Sequence, residues 1–223
     1  MLRSQPFLQF SIKLFDYIME TTEVFKFLQE QIHTVIMATN DEGGNPVTCA
    51  VDIMDYDENG LYFLTAKRKS LYKRLTSNAY LSITGIKGDN TLSRISVSVR
   101  GNVKEIGLER LEKMLDKNPY MYEIYPTEQS RSALTAFCLY LGNGEWFDLS
   151  KKPIERFSFS FGGGKIISSG YYITDKCNVC RKCLTVCPQN CIDIPDKAII
   201  RQENCLHCGN CEKVCPMQAI ERS

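Results

Sequence analysis

Between Cys177 and Pro216 the chain spells CNVCRKCLTVCP and later CLHCGNCEKVCP, each half reading C-x2-C-x2-C-x3-C-P. Every cysteine of the first half returns 28 residues on: Cys177 as Cys205, Cys180 as Cys208, Cys183 as Cys211 and Cys187 as Cys215. Such a period marks two copies of one structural unit. Three thiolates within seven residues can take three corners of an iron–sulfur cube. The fourth cysteine of each copy precedes Pro188 or Pro216. Proline fixes the backbone and turns it away, so that thiol points toward the other copy. Zinc is the competing reading, but structural zinc takes two well-separated ligand pairs. Disulfides are the other, and they require an oxidising compartment.

The repeat resembles that of two-cluster bacterial ferredoxins, where the fourth cysteine is exchanged between halves. The resemblance implies that Cys177, Cys180, Cys183 and Cys215 hold one [4Fe–4S] cluster. Cys205, Cys208, Cys211 and Cys187 then hold the second. Of eleven cysteines this leaves Cys49, Cys138 and Cys191, for which buried, inert thiols are expected. Cys191 stands where the second copy has Ala219, which favours a small buried residue there. His207, between two ligands, either tunes its cluster or fills the loop.

The cysteine region needs only about 50 residues, which leaves enough chain for a separate core. Charge is balanced, 27 Lys and Arg against 26 Asp and Glu. Nothing in that balance pulls toward nucleic acid or an anionic membrane, and neither is expected as a partner. No transmembrane helix is visible, and the apolar first residues lack a clean signal-peptide core. Cysteine-rich, without an export signal, the chain is expected in the cytoplasm. Residues 1–18 are read as an N-terminal extension, with Met19 as an alternative start. A barrel domain is expected over 19–160, a Gly/Ser linker over 161–170 and the cluster domain over 171–223.

Apolar periodicity predicts a helix over 22–31 and strands over 33–39, 47–55 and 61–66. A short basic helix follows over 69–78, then strands over 79–86 and 93–106, where Ile95, Val97 and Val99 alternate with serines. A helix over 108–117 ends at Asn118-Pro119, and 134–150 reads as a last hairpin turning at Gly142-Asn143-Gly144. Arg100-Gly101 reads as a barrel corner, His33 as an ordinary histidine, and Trp146 and Phe147 as packing or dimer contacts. The segment after 150 loses period. Counting gives six or so antiparallel strands with a few short helices, so the class is mainly β plus α+β: a small, partly open barrel with helices covering its ends, followed by a small ferredoxin-like domain.

The stretch FLTAKRKSLYKRL, 63–75, joins a threonine at a strand end to a lysine-rich helix start. That combination suits a phosphate monoester as well as a solvated basic helix. With the Gly43-Gly44-Asn45-Pro46 turn, LYFLT and SVSVRGNV, the order of elements over roughly 20–150 resembles the pyridoxamine 5′-phosphate oxidase-like split barrels that bind FMN. The resemblance implies a six-stranded split barrel that forms a homodimer, with FMN at the dimer interface. It places Thr65 at the ribityl chain or the phosphate and Lys69, Ser70 and Lys73 at the phosphate, with Lys67 assisting. Thr48, Cys49 and Ala50 would present backbone to the flavin ring. The oxidases' Ser-Arg-Lys triplet is replaced by Lys69-Ser70, and their substrate-phosphate residues are not recognisable, so the resemblance carries flavin binding rather than vitamin B6 oxidation. A flavin and iron–sulfur oxidoreductase follows, serving an external electron donor or acceptor. The alternatives are an electron carrier or redox sensor whose barrel holds flavin or haem, and an iron–sulfur scaffold whose barrel only dimerises.

Overall fold

The computed structural model describes residues 21–167 and 169–223; the expected extension over 1–18 lies outside them. The described chain divides into two compact units. One comprises the described chain up to Lys87, Ser96–Gly144 and Phe159–Ile166, and the other Gly88–Ile95, Glu145–Ser158 and Ile167–Ser223.

Helix α1, described from residue 21, ends in a π-helical turn over Phe27–Ile32. Strands β1 (Thr34–Asn40), β2 (Pro46–Asp57) and β3 (Gly60–Ala66) follow, then helix α2 (Ser70–Ser77). Next come β4 (Tyr80–Lys87), β5 (Ile95–Gly107), α3 (Leu111–Lys117), α4 (Tyr120–Ile124) and α5 (Glu128–Arg131). The sheet is completed by β6 (Leu134–Asp148) and β7 (Glu155–Phe161). Its order is β3-β2-β1-β4-β5-β6-β7, and β3 also pairs with β6. That pairing runs from Leu61 opposite Leu139 to Ala66 opposite Leu134 and closes six strands into an antiparallel barrel. Closure removes the open edges of the sheet.

Period-two burial explains the strands. In β5, Val97, Val99 and Val103 are buried while Ser98 and Arg100 face out. In α2 the helical spacing buries Leu71 and Leu75. Phe63 of β3 stacks on Phe137 of β6 with ring centres 5.7 Å apart, both almost fully buried. Each such side chain contributes about 1.5–3 kcal/mol by leaving water. Helices α3 and α4 pack Leu111, Met114, Leu115 and Met121 on Met54, Tyr62 and Cys138. Asp55, fully buried, is held there by Arg110 at 2.6 Å and by Lys117. Burial raises the Asp55 carboxyl pKa, but these bonds and a backbone N–H win and hold it below the usual carboxylate value.

Two expectations fail in this region. The hairpin over 134–150 is one continuous strand, β6, fifteen residues long. Gly142 and Gly144 serve close approach instead of a turn. A Cβ on Gly142 would lie 2.2 Å from the Arg100 carbonyl, and one on Gly144 would lie 2.4 Å from the Phe159 ring. The return strand is β7, within the stretch read as aperiodic; its FSFSF alternation buries Phe159 and Phe161.

In the second unit β8 (Tyr171–Ile173) pairs with β11 (Ile220–Arg222), and β9 (Ile192–Asp193) with β10 (Ile199–Ile200). Helix α6 (Asn210–Lys213) and a 3-10 turn over Lys182–Val186 occupy equivalent places in the two copies of the repeat. Tyr171, Ile192, Ile200 and Ile220 form a small core around the buried Cys191, Cys205 and Cys211. Trp146 stacks on Phe157 with centroids 5.9 Å apart.

Candidate functional site

The 28-residue period is written into the backbone. Val179, Arg181 and Asn190 have positive φ, and so do their counterparts His207, Gly209 and Gln218. A β-branched valine at φ 59 is strained, and such strain persists only where surrounding structure enforces it. Here the kinks aim backbone donors at sulfur. Val179 N–H and His207 N–H each donate to a thiol at 3.4 Å, Cys177 and Cys205 respectively. Cys191 N–H donates to Cys187 at 3.4 Å and Ala219 N–H to Cys215 at 3.3 Å. Donors of this kind stabilise thiolates over thiols.

The structure brings the eight thiols together in two sets. Cys177, Cys180, Cys183 and Cys215 line one cavity, walled by Ile173, Ile194, Ala198 and Ile220. Cys187, Cys205, Cys208 and Cys211 line a second, where Cys191 is a fifth lining cysteine beside the walls of Tyr171, Ile192 and Ile200. Each set takes three cysteines from one copy and the fourth from the other. Four motif thiols beside apolar walls, with N–H groups turned toward sulfur and one cysteine of each set, Cys180 or Cys208, exposed, fit a cluster's need for ligands and donors.

Of the leftover cysteines, Cys138 and Cys191 are buried as expected, and burial pushes the Cys138 thiol pKa up. Cys49 is only partly buried. It lies on the half of β2 beyond Ile53, where pairing with β3 begins, so its strand is flanked there by β1. His33 is an ordinary partnered histidine, its Nε2 2.8 Å from the Tyr120 hydroxyl. His207 is half-buried, and its Nε2 is buried without a hydrogen-bond partner. Burial, then Arg156 and Arg222, lower its pKa below the usual imidazole value.

The barrel residues singled out by sequence fall into two places. Thr65, Lys67, Lys69, Ser70 and Lys73 are contiguous from the end of β3 into α2. Thr48, Cys49 and Ala50 lie on the outer half of β2, with Thr48 and Ala50 exposed. Thr65 is 4 % exposed and its Oγ1 is buried with no partner. Its register partner Thr135 is engaged, donating to Glu105 at 2.6 Å. No side chain caps α2, whose first turn carries no acid. Among the described residues Lys67 and Lys69 are exposed and have no carboxylate within ion-pair reach. Lys73 is exposed and paired with Glu42 at 2.7 Å, a contact of the kind that contributes little and exchanges readily. An unsatisfied buried hydroxyl, free lysines and an uncapped helix start fit a phosphorylated cofactor such as FMN.

Sequence reasoning passed over Glu105, Tyr72 and Arg74. Tyr72 donates to Glu105 at 3.1 Å, and Arg74 donates to the buried Thr39 at 2.7 Å. Arg74 lies in the same basic run as the lysines, and only its direction in space separates it from them.

A closed split barrel followed by two thiol-ringed cavities defines a barrel protein with an iron–sulfur domain. Residues 21–141, more than half of the chain, match the family described as pyridoxamine 5′-phosphate oxidase, and the chain belongs to that family. Residues 176–219 match the 4Fe-4S dicluster domain. Ferredoxin-1 of Caulobacter vibrioides is 37% identical over 54 residues, which is 23% of this chain and 48% of that protein. Ferredoxin 7Fe of Hydrogenibacillus schlegelii is 42% identical over 53 residues, 22% of this chain and 68% of that one. Against the first of these ferredoxins the chain thus spans about half the relative's length. Among solved structures, a NimC/NimA family protein from Clostridium acetobutylicum superposes with a TM-score of 0.54 at 20% identity, over 65% of this chain and 94% of that one. That likeness bears on the barrel fold. One chain thus joins a barrel of that family to a 4Fe-4S dicluster domain. Among the described residues no helix is long and apolar enough to cross a membrane.

Proposed function

We propose that this chain is an FMN- and iron–sulfur-dependent oxidoreductase, in which single electrons pass between two [4Fe–4S] clusters and a flavin held by the barrel. Flavin exchanges electrons in pairs with organic partners and singly with metal centres, which suits it to such a junction. The observation that carries the flavin half is the orphaned Thr65 hydroxyl beside an uncapped, lysine-rich helix start.

Each residue then has a task. Thr65 Oγ1 donates to the ribityl phosphate end, and so gains the partner it lacks. Lys69 and Ser70 meet the phosphate at the helix start, Lys67 adds charge, and Lys73 joins them by leaving Glu42. Thr48, Cys49 and Ala50 supply backbone groups to the flavin ring. Cys177, Cys180, Cys183 and Cys215 ligate one cluster, and Cys205, Cys208, Cys211 and Cys187 the other. The apolar walls around the thiols limit water. In this reading the protein is a cytoplasmic homodimer that serves an external donor or acceptor protein.

The test is iron, sulfide and released-flavin quantitation on anaerobically purified protein. About eight irons, two cubes of four, with one FMN per chain is the expected result. Full iron without flavin would remove the barrel from the electron path and leave a carrier built on the dicluster domain.

A further inference from the structure

The two copies of the cysteine repeat share a backbone but not their surroundings. Cys191 N–H and Ala219 N–H make the same bond to the fourth cysteine of each copy, at 3.4 and 3.3 Å. Their side chains differ. Cys191, 1 % exposed, places its Sγ 3.4 Å from Cys187 Sγ. Ala219, equally buried, offers Cys215 a methyl group. A cysteine bound to iron has given up its proton, so in the Cys187–Cys191 contact only the Cys191 thiol can donate.

A second difference falls on the same cavity. Arg156 Nη1 donates to the Cys205 carbonyl at 3.2 Å, and its side chain is 14% exposed. Its carboxylate partner, Glu145, is 42% exposed and so better solvated. The other cavity has cations at its wall, Arg181 and Lys182, but both are exposed and screened by water.

We propose that Cys191, assisted by Arg156, raises the reduction potential of the cluster held by Cys187, Cys205, Cys208 and Cys211 above that of its sibling, so that the first electron entering the domain rests there. Cys191 is a positioning residue that acts through the Cys187 sulfur. Reduction adds one electron to a cluster without making or breaking a bond, and the added charge spreads onto the sulfurs. A donor to a ligand sulfur and a buried cation both favour that reduced form. The inference rests on the ligand sets given above and is independent of the flavin.

The experiment is a dithionite titration of the full-length, anaerobically purified protein, followed by electron paramagnetic resonance, with iron and sulfide measured on the same samples. Two one-electron waves are expected. Cys191→Ala, which copies Ala219, should lower the upper wave by about tenfold in the reduction equilibrium, about 59 mV for one electron, and leave the lower wave in place. Arg156→Gln should move the upper wave in the same direction. The mirror variant Ala219→Cys should raise the lower wave, and it keeps the test open if Cys191→Ala loses iron. A single wild-type wave overturns the proposal. So do fully loaded variants in which neither wave moves, or in which Cys191→Ala moves the lower one. Wild-type protein lacking about eight irons would instead overturn the ligand assignment itself.

Discussion

Replacing Thr65 by valine should move two measurements in opposite directions. The hydroxyl is buried and without a partner, and a buried unsatisfied polar group costs about 1–3 kcal/mol. Valine keeps the β-branched shape that suits strand β3 and removes the group that pays this penalty. Flavin-free Thr65→Val should therefore be more stable than wild type by about 1 kcal/mol, the low end of that range because methyl for hydroxyl is not a perfect replacement. Flavin binding should weaken. A hydrogen bond to a charged phosphate contributes about 1.5–3 kcal/mol, which is about a tenfold to hundredfold rise in Kd. Thr65→Ser, which keeps the donor, should bind near wild-type strength. Urea denaturation followed by far-ultraviolet circular dichroism reads the stability, and quenching of FMN fluorescence reads the Kd. If Thr65→Val binds FMN within about twofold of wild type, a change of under 0.5 kcal/mol, the hydroxyl is not a flavin contact. If the flavin-free variant is less stable, the hydroxyl was already satisfied and the reasoning from its orphaned state is wrong.

Lys69→Ala with Lys73→Ala should strip most flavin from the purified protein, and raised salt should weaken wild-type binding in the same sense; unchanged flavin content would move the phosphate site elsewhere. Arg110→Ala removes charge-assisted contacts to the buried Asp55 and to Asp57, and its stacking on Tyr62, and should cost about 3 kcal/mol in urea denaturation. Because the folded Asp55 and Asp57 pKa values are depressed, their contribution is present above the ordinary carboxylate pKa and is lost as pH falls through the lower folded values. Acid titration of stability should therefore show wild type failing at lower pH than Arg110→Ala. Cys183→Ser should abolish one cluster, read as a loss of about half the iron, while flavin content of the barrel holds.

Much of this protein is local and therefore readable in one dimension. A cluster loop needs its thiols within a few residues of one another, so the spacing from Cys177 to Cys187, repeated from Cys205 to Cys215, carried both the chemistry and the pairing of copies. Helix α2 was equally legible, because the Leu71 and Leu75 spacing is set by the helical period. The barrel's closure was not, since the Leu61–Leu139 to Ala66–Leu134 register joins segments far apart in sequence. Gly142-Asn143-Gly144 looked like a turn because glycine permits turns. It lies in a strand because neighbouring backbone and the Phe159 ring come too close for a Cβ. Thr65 was legible as a candidate, but whether its hydroxyl had a partner depended on where Thr135 and Glu105 came to rest. Cys191 read as a small buried residue, which it is. Only the fold set its sulfur beside Cys187, because the alternation that tells buried from exposed says nothing of which atom a buried side chain meets.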